Sequence, residues 1–327
     1  MLTRKSCSSL LPPKPEQSTP AVAAFFLYRL FCTACIPLLL LAALLRVKER
    51  ERIWERLGLK SSQAAARLGS VGQGPVIWIH ALSVGEVTSA LPLVQAVRAQ
   101  LHPAQIVFTV ATRSGRELAE TLIRPHVDLV LFSPFDLWFS VRRYIVAIRP
   151  SLFVLVETDF WPEWLHMLHQ EKVPTMLVNG RISLKSFASY RRFAFFCKPM
   201  FRCFDLLAMQ TEQDREKMAA FGLPKERLAV LGNLKYDLPA PQSSPLALVP
   251  DNELLWVCGS THPGEEEIIF AAFQQLLAET ELHGTLHLLL APRQINRGEK
   301  LLRLASSFGL VAQLRSSGGR SAAGRVL

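Results

Sequence analysis

Six cysteines (Cys7, Cys32, Cys35, Cys197, Cys203, Cys258) are spread over 327 residues, and they lack the company that redox or metal chemistry requires. The one C-x-x-C, Cys32 to Cys35, lies inside an apolar run, with no second pair and no His pair to complete a site. Free cysteine is a common buried residue, so these read as packing residues of a chain kept in a reducing compartment. Charge is sparse as well, at 20% of residues against 50% hydrophobic. That excludes a disordered chain and leaves enough apolar side chains for a large core. The net charge of +10 comes without aromatic interleaving or any nucleic-acid motif, so no nucleic-acid partner is expected. Phosphate-bearing small molecules or an anionic membrane surface suit it better. A G-x-S-x-G nucleophile elbow is also missing. His80, Ser83 and Glu86 are close in sequence, but Ser83 sits between Leu82 and Val84, and no hydrolase triad is read from them.

What breaks the soluble pattern is residues 21–45, AVAAFFLYRLFCTACIPLLLLAALL, whose single charge is Arg29. The run is long enough to span a bilayer core. Arg46, Lys48, Arg50, Arg52 and Arg56 follow it, against Arg4, Lys5 and Lys14 before it. The positive-inside rule then places the bulk of the chain in the cytoplasm, anchored at an inner membrane. No small-x-small cleavage site follows, so the expectation is a retained anchor. Because Arg29 interrupts the run, an interfacial or re-entrant helix, held by its basic collar to anionic lipid, stays open beside a full span.

Beyond a linker ending at residue 74, short apolar runs alternate with amphipathic stretches. Strands are expected at 76–80, 106–111, 127–132, 152–157, 175–178 and 206–210, with helices at 86–100, 115–123, 137–148, 162–170, 183–196 and 212–221. Unbroken apolar strands separated by helices are what a parallel sheet covered on both faces needs. The reading is a doubly wound α/β domain over 75–237, behind a tail at 1–20, the anchor at 21–45 and a basic collar and linker at 46–74. A Pro-rich break at 238–252 precedes a second α/β stretch at 253–314, with strands at 254–258, 286–290 and 311–314 and helices at 263–279 and 296–308. The tail at 315–327, RSSGGRSAAGRVL, has no apolar periodicity.

Ligands of open α/β sheets bind outside the carboxyl ends of the strands. Polar groups follow five strands in turn: Ser83-Val84-Gly85-Glu86, Thr112-Arg113-Ser114-Gly115, Ser133 to Asp136, Glu157-Thr158-Asp159, and Asn179-Gly180-Arg181. Each has a plain structural account. Ser83 and Glu86 have capping-box spacing, Ser183 caps a helix, and Asp136 serves a first turn. All five on one rim is a pattern that capping alone does not require. A lone carboxylate at the first strand-to-helix turn suits a general base that deprotonates an attacking hydroxyl.

The ordered motifs WIHALSVGE, ETDFWPE, NGRIS, GNLKYD, GSTHPGEEE and APR, behind RIWERLG, closely resemble the 3-deoxy-D-manno-oct-2-ulosonic acid (Kdo) transferase family. The match runs from about Arg46 to about Arg293. The resemblance implies a GT-B glycosyltransferase, two Rossmann-like domains with the second incomplete here, that transfers Kdo from CMP-Kdo to a lipid A precursor. It implies inversion at the anomeric carbon without a catalytic metal or other cofactor. It makes Glu86 the base and Ser83 and Gly85 part of the turn that aims it. Glu157, Asp159, Asn179 and Arg181 would shape the acceptor cleft. Lys235, Ser260, Thr261, Glu265 and Arg293 would serve the donor, with an ion pair as the alternative role for Lys235, Glu157 and Arg293.

The family's Gly-rich donor segment has no counterpart in this sequence. Two readings follow: an active Kdo transferase, or a membrane-tethered acceptor-binding remnant of one. A GT-B enzyme using another sugar nucleotide is a third.

Overall fold

The computed structural model describes residues 19–38, 50–60, 66, 68, 74–237, 252–279, 285–315 and 325–326. Most of the N-terminal tail, of the Pro-rich linker and of the C-terminal tail expected above lies outside them. The chain divides into two compact units, Met1–Pro239 and Ala240–Leu327.

The first unit begins with α1 (Thr19–Ala34) and α2 (Arg50–Arg56). There follow β1 (Val76–Ala81), α3 (Val84–Gln100), β2 (Gln105–Val110), α4 (Arg113–Leu122), β3 (Leu129–Phe132), α5 (Trp138–Ile148), β4 (Leu152–Val156), α6 (Pro162–Gln170) and β5 (Thr175–Gly180). The unit continues with α7 (Leu184–Arg192), α8 (Ala194–Phe201), β6 (Leu206–Met209), α9 (Glu212–Ala219) and β7 (Leu228–Val230). Its seven strands lie in the order β3-β2-β1-β4-β5-β6-β7, and the pairs are all parallel.

Every residue of β1 and β2 is buried, which is why these strands carry unbroken apolar runs. Successive side chains alternate between the two faces. Ile77, Ile79 and Ala81 join the core under α3 and α4, while Val76 and Trp78 join the larger core with Phe153, Trp164 and Phe201. The order reverses beside β1, whose neighbours are β2 and β4. The crevice of a doubly wound sheet therefore opens at the carboxyl ends of β1 and β4.

The elements depart from the sequence reading in particular places. The helix expected at 183–196 is two, α7 and α8, separated at Phe193, whose φ of −103° and ψ of 33° leave the helical region. Strand β7 was not expected; three residues are too few to show a period. The expected anchor, 21–45, is described only in part. Helix α1 has 16 residues, and among the described residues no helix is long and apolar enough to cross a membrane; residues 39–45 lie outside them. One side of α1 is engaged by the domain. Phe25 is buried and stacks on His166 at 4.4 Å, Tyr28 donates to Asp136 at 2.6 Å, and Arg29 pairs with Glu163 at 2.5 Å. Phe26, Leu27, Leu30 and Phe31 face outward.

Part of the basic collar also turns inward. Arg56 Nε donates to the Ser133 carbonyl at 3.0 Å and its guanidinium lies 4.2 Å above the Phe135 ring. Glu55 accepts from the Phe132 amide at 2.8 Å. Of the five basic residues, Arg56 thus serves folding, because a guanidinium near a loop carbonyl and an aromatic face is worth more there than in water.

The second unit contains β8 (Leu254–Thr261), α10 (Glu265–Ala278), β9 (Leu286–Pro292), α11 (Gly298–Ser307), β10 (Val311–Ala312) and β11 (Arg325–Val326). Its sheet has the order β10-β11-β9-β8. Phe270, Phe273, Leu288 and Ala305 form the core. The C-terminal tail, in which no apolar periodicity was read, contributes β11, which pairs in parallel with β10 and β9. Two residues suffice to satisfy strand-edge amides that would otherwise be unpaired.

Candidate functional site

Strand β1 ends at Ala81 and α3 starts at Val84, so the carboxylate at the third helical position, Glu86, folds back over the turn. It accepts from the backbone N–H of Leu82 and, at 3.2 Å, from that of Ser83, the carboxylate half of a capping box. Capping was the plain account of Glu86, and it holds. It is incomplete, because burial pushes this carboxyl up to about 7, the Leu82 and Ser83 amides oppose that rise, and the charges of Glu157 and Asp159 add to it. A carboxyl poised near neutrality accepts a proton far better than an ordinary one. Gly85 has nothing within 4 Å of where a Cβ would sit, so the turn is open beside Glu86.

Across the crevice, Glu157 follows β4 with φ +64°, and Asn179, in β5, has φ +57°. Both are left-handed conformations uncommon outside glycine and costly for Glu. Asn179 Nδ2 reaches Glu157 Oε1 at 3.4 Å, and its Oδ1 accepts the Leu234 amide at 3.2 Å. The 3-10 turn Leu234–Asp237, which carries the GNLKYD motif, is thereby tied to the rim. Ser89, one turn along α3 from Glu86, donates to the Gly85 carbonyl at 2.8 Å and lies 3.4 Å from Glu157 Oε1. Its single proton goes to the shorter bond, leaving Glu157 weakly held.

Asp159 completes the carboxylate group. Burial raises its pKa, while a hydrogen bond from Trp161 and the charge of Arg56 oppose the rise. Its Oδ2 is buried without a hydrogen-bond partner. Burial together with the neighbouring Arg52 brings Arg56 down to about 10. His80 does not belong to this group. It is fully buried, its Nδ1 is 3.0 Å from the Thr109 carbonyl, and burial drives it down to about 3, so it is neutral.

The structure therefore brings Glu86, Glu157, Asp159 and Asn179 to one rim. Arg181 is exposed beyond it, and Lys235 is exposed within the first unit, its own amide bonded to Asn233 Oδ1 at 3.0 Å. Ser183 caps α7 by accepting from the Ser186 amide at 3.0 Å. Asp136 also has a structural role, but not on the helix next to it in sequence. It accepts from the amides of Glu163 and Trp164 at 3.2 and 3.0 Å, capping α6 from across the fold. Ser89, Leu234 and Arg56 were missed as contributors, whereas Asp136 was read on the rim but assigned to the wrong helix. Only Ser89 carried a signal, three residues after Glu86 on the same helical face.

In the second unit, β8 and β9 end side by side, Thr261 in register with Pro292. Ser260 and Arg293 are exposed there. Ser260 has φ +61°, and the Arg293 amide donates to the Thr261 carbonyl at 3.0 Å. Glu265 is exposed and accepts from the His262 amide at 2.7 Å. Thr261 points inward instead, donating to Glu266 at 3.0 Å, and Glu266 takes a two-pronged contact from Arg297 at 2.7 and 3.0 Å. Of the three consecutive glutamates opening α10, the middle one is thus the structural member.

Comparison with known proteins gives the chain's relatives. Residues 51–238 match the family model described as 3-deoxy-D-manno-octulosonic-acid transferase (kdotransferase). The 3-deoxy-D-manno-octulosonic acid transferase of Haemophilus influenzae is 34% identical over 282 residues, 83% of this chain and 64% of that protein. The enzyme of the same name from Chlamydophila psittaci is 31% identical, over 73% of this chain and 56% of that protein. The chain thus spans about 64% and 56% of the length of these two relatives. Among solved structures, UDP-GlcNAc 2-epimerase from Neisseria meningitidis, bound to UDP-GlcNAc, aligns with a TM-score of 0.50 at 11% identity, covering 71% of this chain and 69% of that one. That likeness is one of fold. The family model over more than half the chain, and relatives above 30% identity over most of it, establish that this protein belongs to the 3-deoxy-D-manno-octulosonic-acid transferase family.

Proposed function

We propose that the protein transfers Kdo from CMP-Kdo to a lipid A precursor, as a GT-B enzyme acting in lipopolysaccharide synthesis. The observation that carries this reading is Glu86, a carboxyl held over the β1–α3 turn and raised to about 7 by burial. In a single inverting displacement, one carboxylate takes the proton of a glucosamine hydroxyl as its oxygen forms a bond to the anomeric carbon of Kdo. The bond from that carbon to the CMP phosphate breaks, and the phosphate leaves with the electron pair. Asn179 braces Glu157 beside Glu86, and the charge on Glu157 keeps Glu86 basic enough to accept the proton. On the donor side, Ser260 and Arg293 stand at the ends of β8 and β9 and Glu265 opens α10; Arg293 would hold the leaving phosphate. Lys235 would meet the Kdo carboxylate or a lipid phosphate. The reaction in this reading uses no metal or further cofactor.

The same reading puts the protein at the cytoplasmic side of an inner membrane. It is supported by the outward apolar residues of α1, Phe26, Leu27, Leu30 and Phe31, and by exposed Leu184, Phe193 and Phe195 among Lys185, Arg191 and Arg192 on α7 and the α7–α8 junction. Apolar side chains ringed by cations suit an interface of anionic lipid better than they suit water.

The test is transfer of labelled Kdo, with CMP-Kdo made in situ, to a lipid A precursor in detergent. The native chain should give product and Glu86→Gln none. Absence of product from a folded native chain that still binds the acceptor refutes the reading, and near-normal turnover by Glu86→Gln refutes the base.

A further inference from the structure

An apolar N-terminal helix that served only as a tether would touch its catalytic domain loosely. Helix α1 instead makes three different contacts with one helix, α6, and with the aspartate that caps it. Arg29 grips Glu163 through Nη2 at 2.5 Å and Nε at 3.3 Å, and Glu163 is only 1% exposed. Tyr28 donates to Asp136 Oδ2 at 2.6 Å, the same oxygen that accepts the Glu163 amide at 3.2 Å. One turn earlier, Phe25 stacks on His166 at 4.4 Å. Glu163 and Asp136 are thus both held from outside the sheet, and both sit at the N-terminus of α6.

What leads into that N-terminus is residues 157–161, the loop bearing Glu157, Asp159 and Trp161. Pro162 opens α6, so the loop has little backbone freedom to absorb a shift of the helix. A buried carboxylate that loses its cation is strongly disfavoured, so undocking α1 exposes Glu163 and pulls the first turn of α6 with it. Helix α2 holds the other end of the capping loop, through the Phe135 amide on the Arg56 carbonyl at 3.0 Å.

We propose that Tyr28 and Arg29 are positioning residues: α1, seated on α6, holds loop 157–161 in the conformation that sets Glu157 beside Glu86, and the site loosens when α1 lifts away. The consequence for transfer rests on the function proposed above; the coupling of α1 to the loop does not. An enzyme built this way is competent only while its membrane-side helix is in place.

Hydrogen exchange read by mass spectrometry on the full chain in detergent separates the two questions. Peptides covering 157–164 should exchange at least about tenfold faster in Arg29→Met and in Tyr28→Phe, while peptides from β1 and β4 keep their native rates. The double change Arg29→Met with Glu163→Met leaves no buried charge unpaired and should restore protection of the loop. In a chain shown to transfer Kdo, kcat should fall with the loop's protection, recover in the double variant, and leave KM for CMP-Kdo unchanged. Native exchange at 157–164 in both single variants overturns the coupling, as does a loosened loop with undiminished kcat. A native chain without transfer counts against the proposed function alone, and the exchange result then decides the coupling.

Discussion

A carboxyl raised toward neutrality by burial should weaken the fold that holds it, and Glu86 allows the size of that effect to be worked out. Its carboxyl moves from 4.5 to about 7 on folding, burial being the largest cause. The folded state therefore holds a proton that the unfolded state has released between these pH values. The associated stability is present below pH 4.5 and is lost as pH rises through 7. A carboxylate sealed from water would cost about 3 kcal/mol over that interval; Glu86 is partly solvated, and screening brings the figure to about 1–2 kcal/mol. Glu86→Gln does not ionise, and its amide oxygen can still accept from Leu82 and Ser83. It should match the native protein in urea unfolding at pH 4.5 and exceed it by about 1–2 kcal/mol at pH 8, with transfer abolished. An unfolding difference that stays constant from pH 4.5 to pH 8 would refute the assignment of a raised, buried carboxyl.

Other substitutions probe the same rim. Gly85→Ala puts a methyl into empty space within α3, so the melting temperature should hold or rise, by the equivalent of about 0.5–1 kcal/mol. If the proposed transfer holds, kcat/KM for the acceptor should fall, because that space is where an acceptor would meet Glu86; unchanged kcat/KM counts against the approach route. Gly115→Ala behaves oppositely. Its Cβ would lie 2.7 Å from Thr112 Oγ1, the oxygen that caps α4 by accepting the Gly115 amide, and the unfolding free energy from urea denaturation should drop by about 1–3 kcal/mol. His80, lowered to about 3 by burial, should show no imidazole titration by NMR between pH 5 and 8. Because its folded value lies below the unfolded 6.5, the stability it contributes is present above pH 6.5 and is lost as pH falls toward 3.

The sheet was legible because parallel strands buried on both faces must be apolar throughout, and β1 and β2 are. Their order, and hence the crevice between β1 and β4, follows from no single segment. The placement of Glu86 was legible too, since strand end, cap and carboxylate are all local. What escaped was whatever depends on a partner far along the chain. Asp136 looks like a first-turn residue of α5, yet it caps α6 through the amides of Glu163 and Trp164. A two-residue strand such as β11 offers no period to read, and it is recognised only by its pairing with β9 and β10.

Arg29 shows most clearly what a hydropathy window leaves out. In a window average it is a penalty against spanning a bilayer, and its cost is assessed against lipid. In the folded chain its partner is Glu163, 134 residues away, and the relevant comparison is with a buried carboxylate that would otherwise stand alone. The same holds for the left-handed backbone at Glu157 and Asn179. Glu does not announce such a conformation, which costs on the order of 1–3 kcal/mol there, whereas Asn, which tolerates it better, announces it only weakly. Both sit at the carboxyl ends of adjacent strands and turn their side chains toward each other, 3.4 Å apart. Strain placed there, in a sheet otherwise regular, is accounted for if the fold is aiming Glu157 at Glu86. On that argument, Asn179→Gly should relieve strain at its own position yet leave Glu157 unbraced. The outcome expected is a lower kcat in a protein whose β5 remains protected from exchange, and a full kcat would show that the aim of Glu157 does not depend on Asn179.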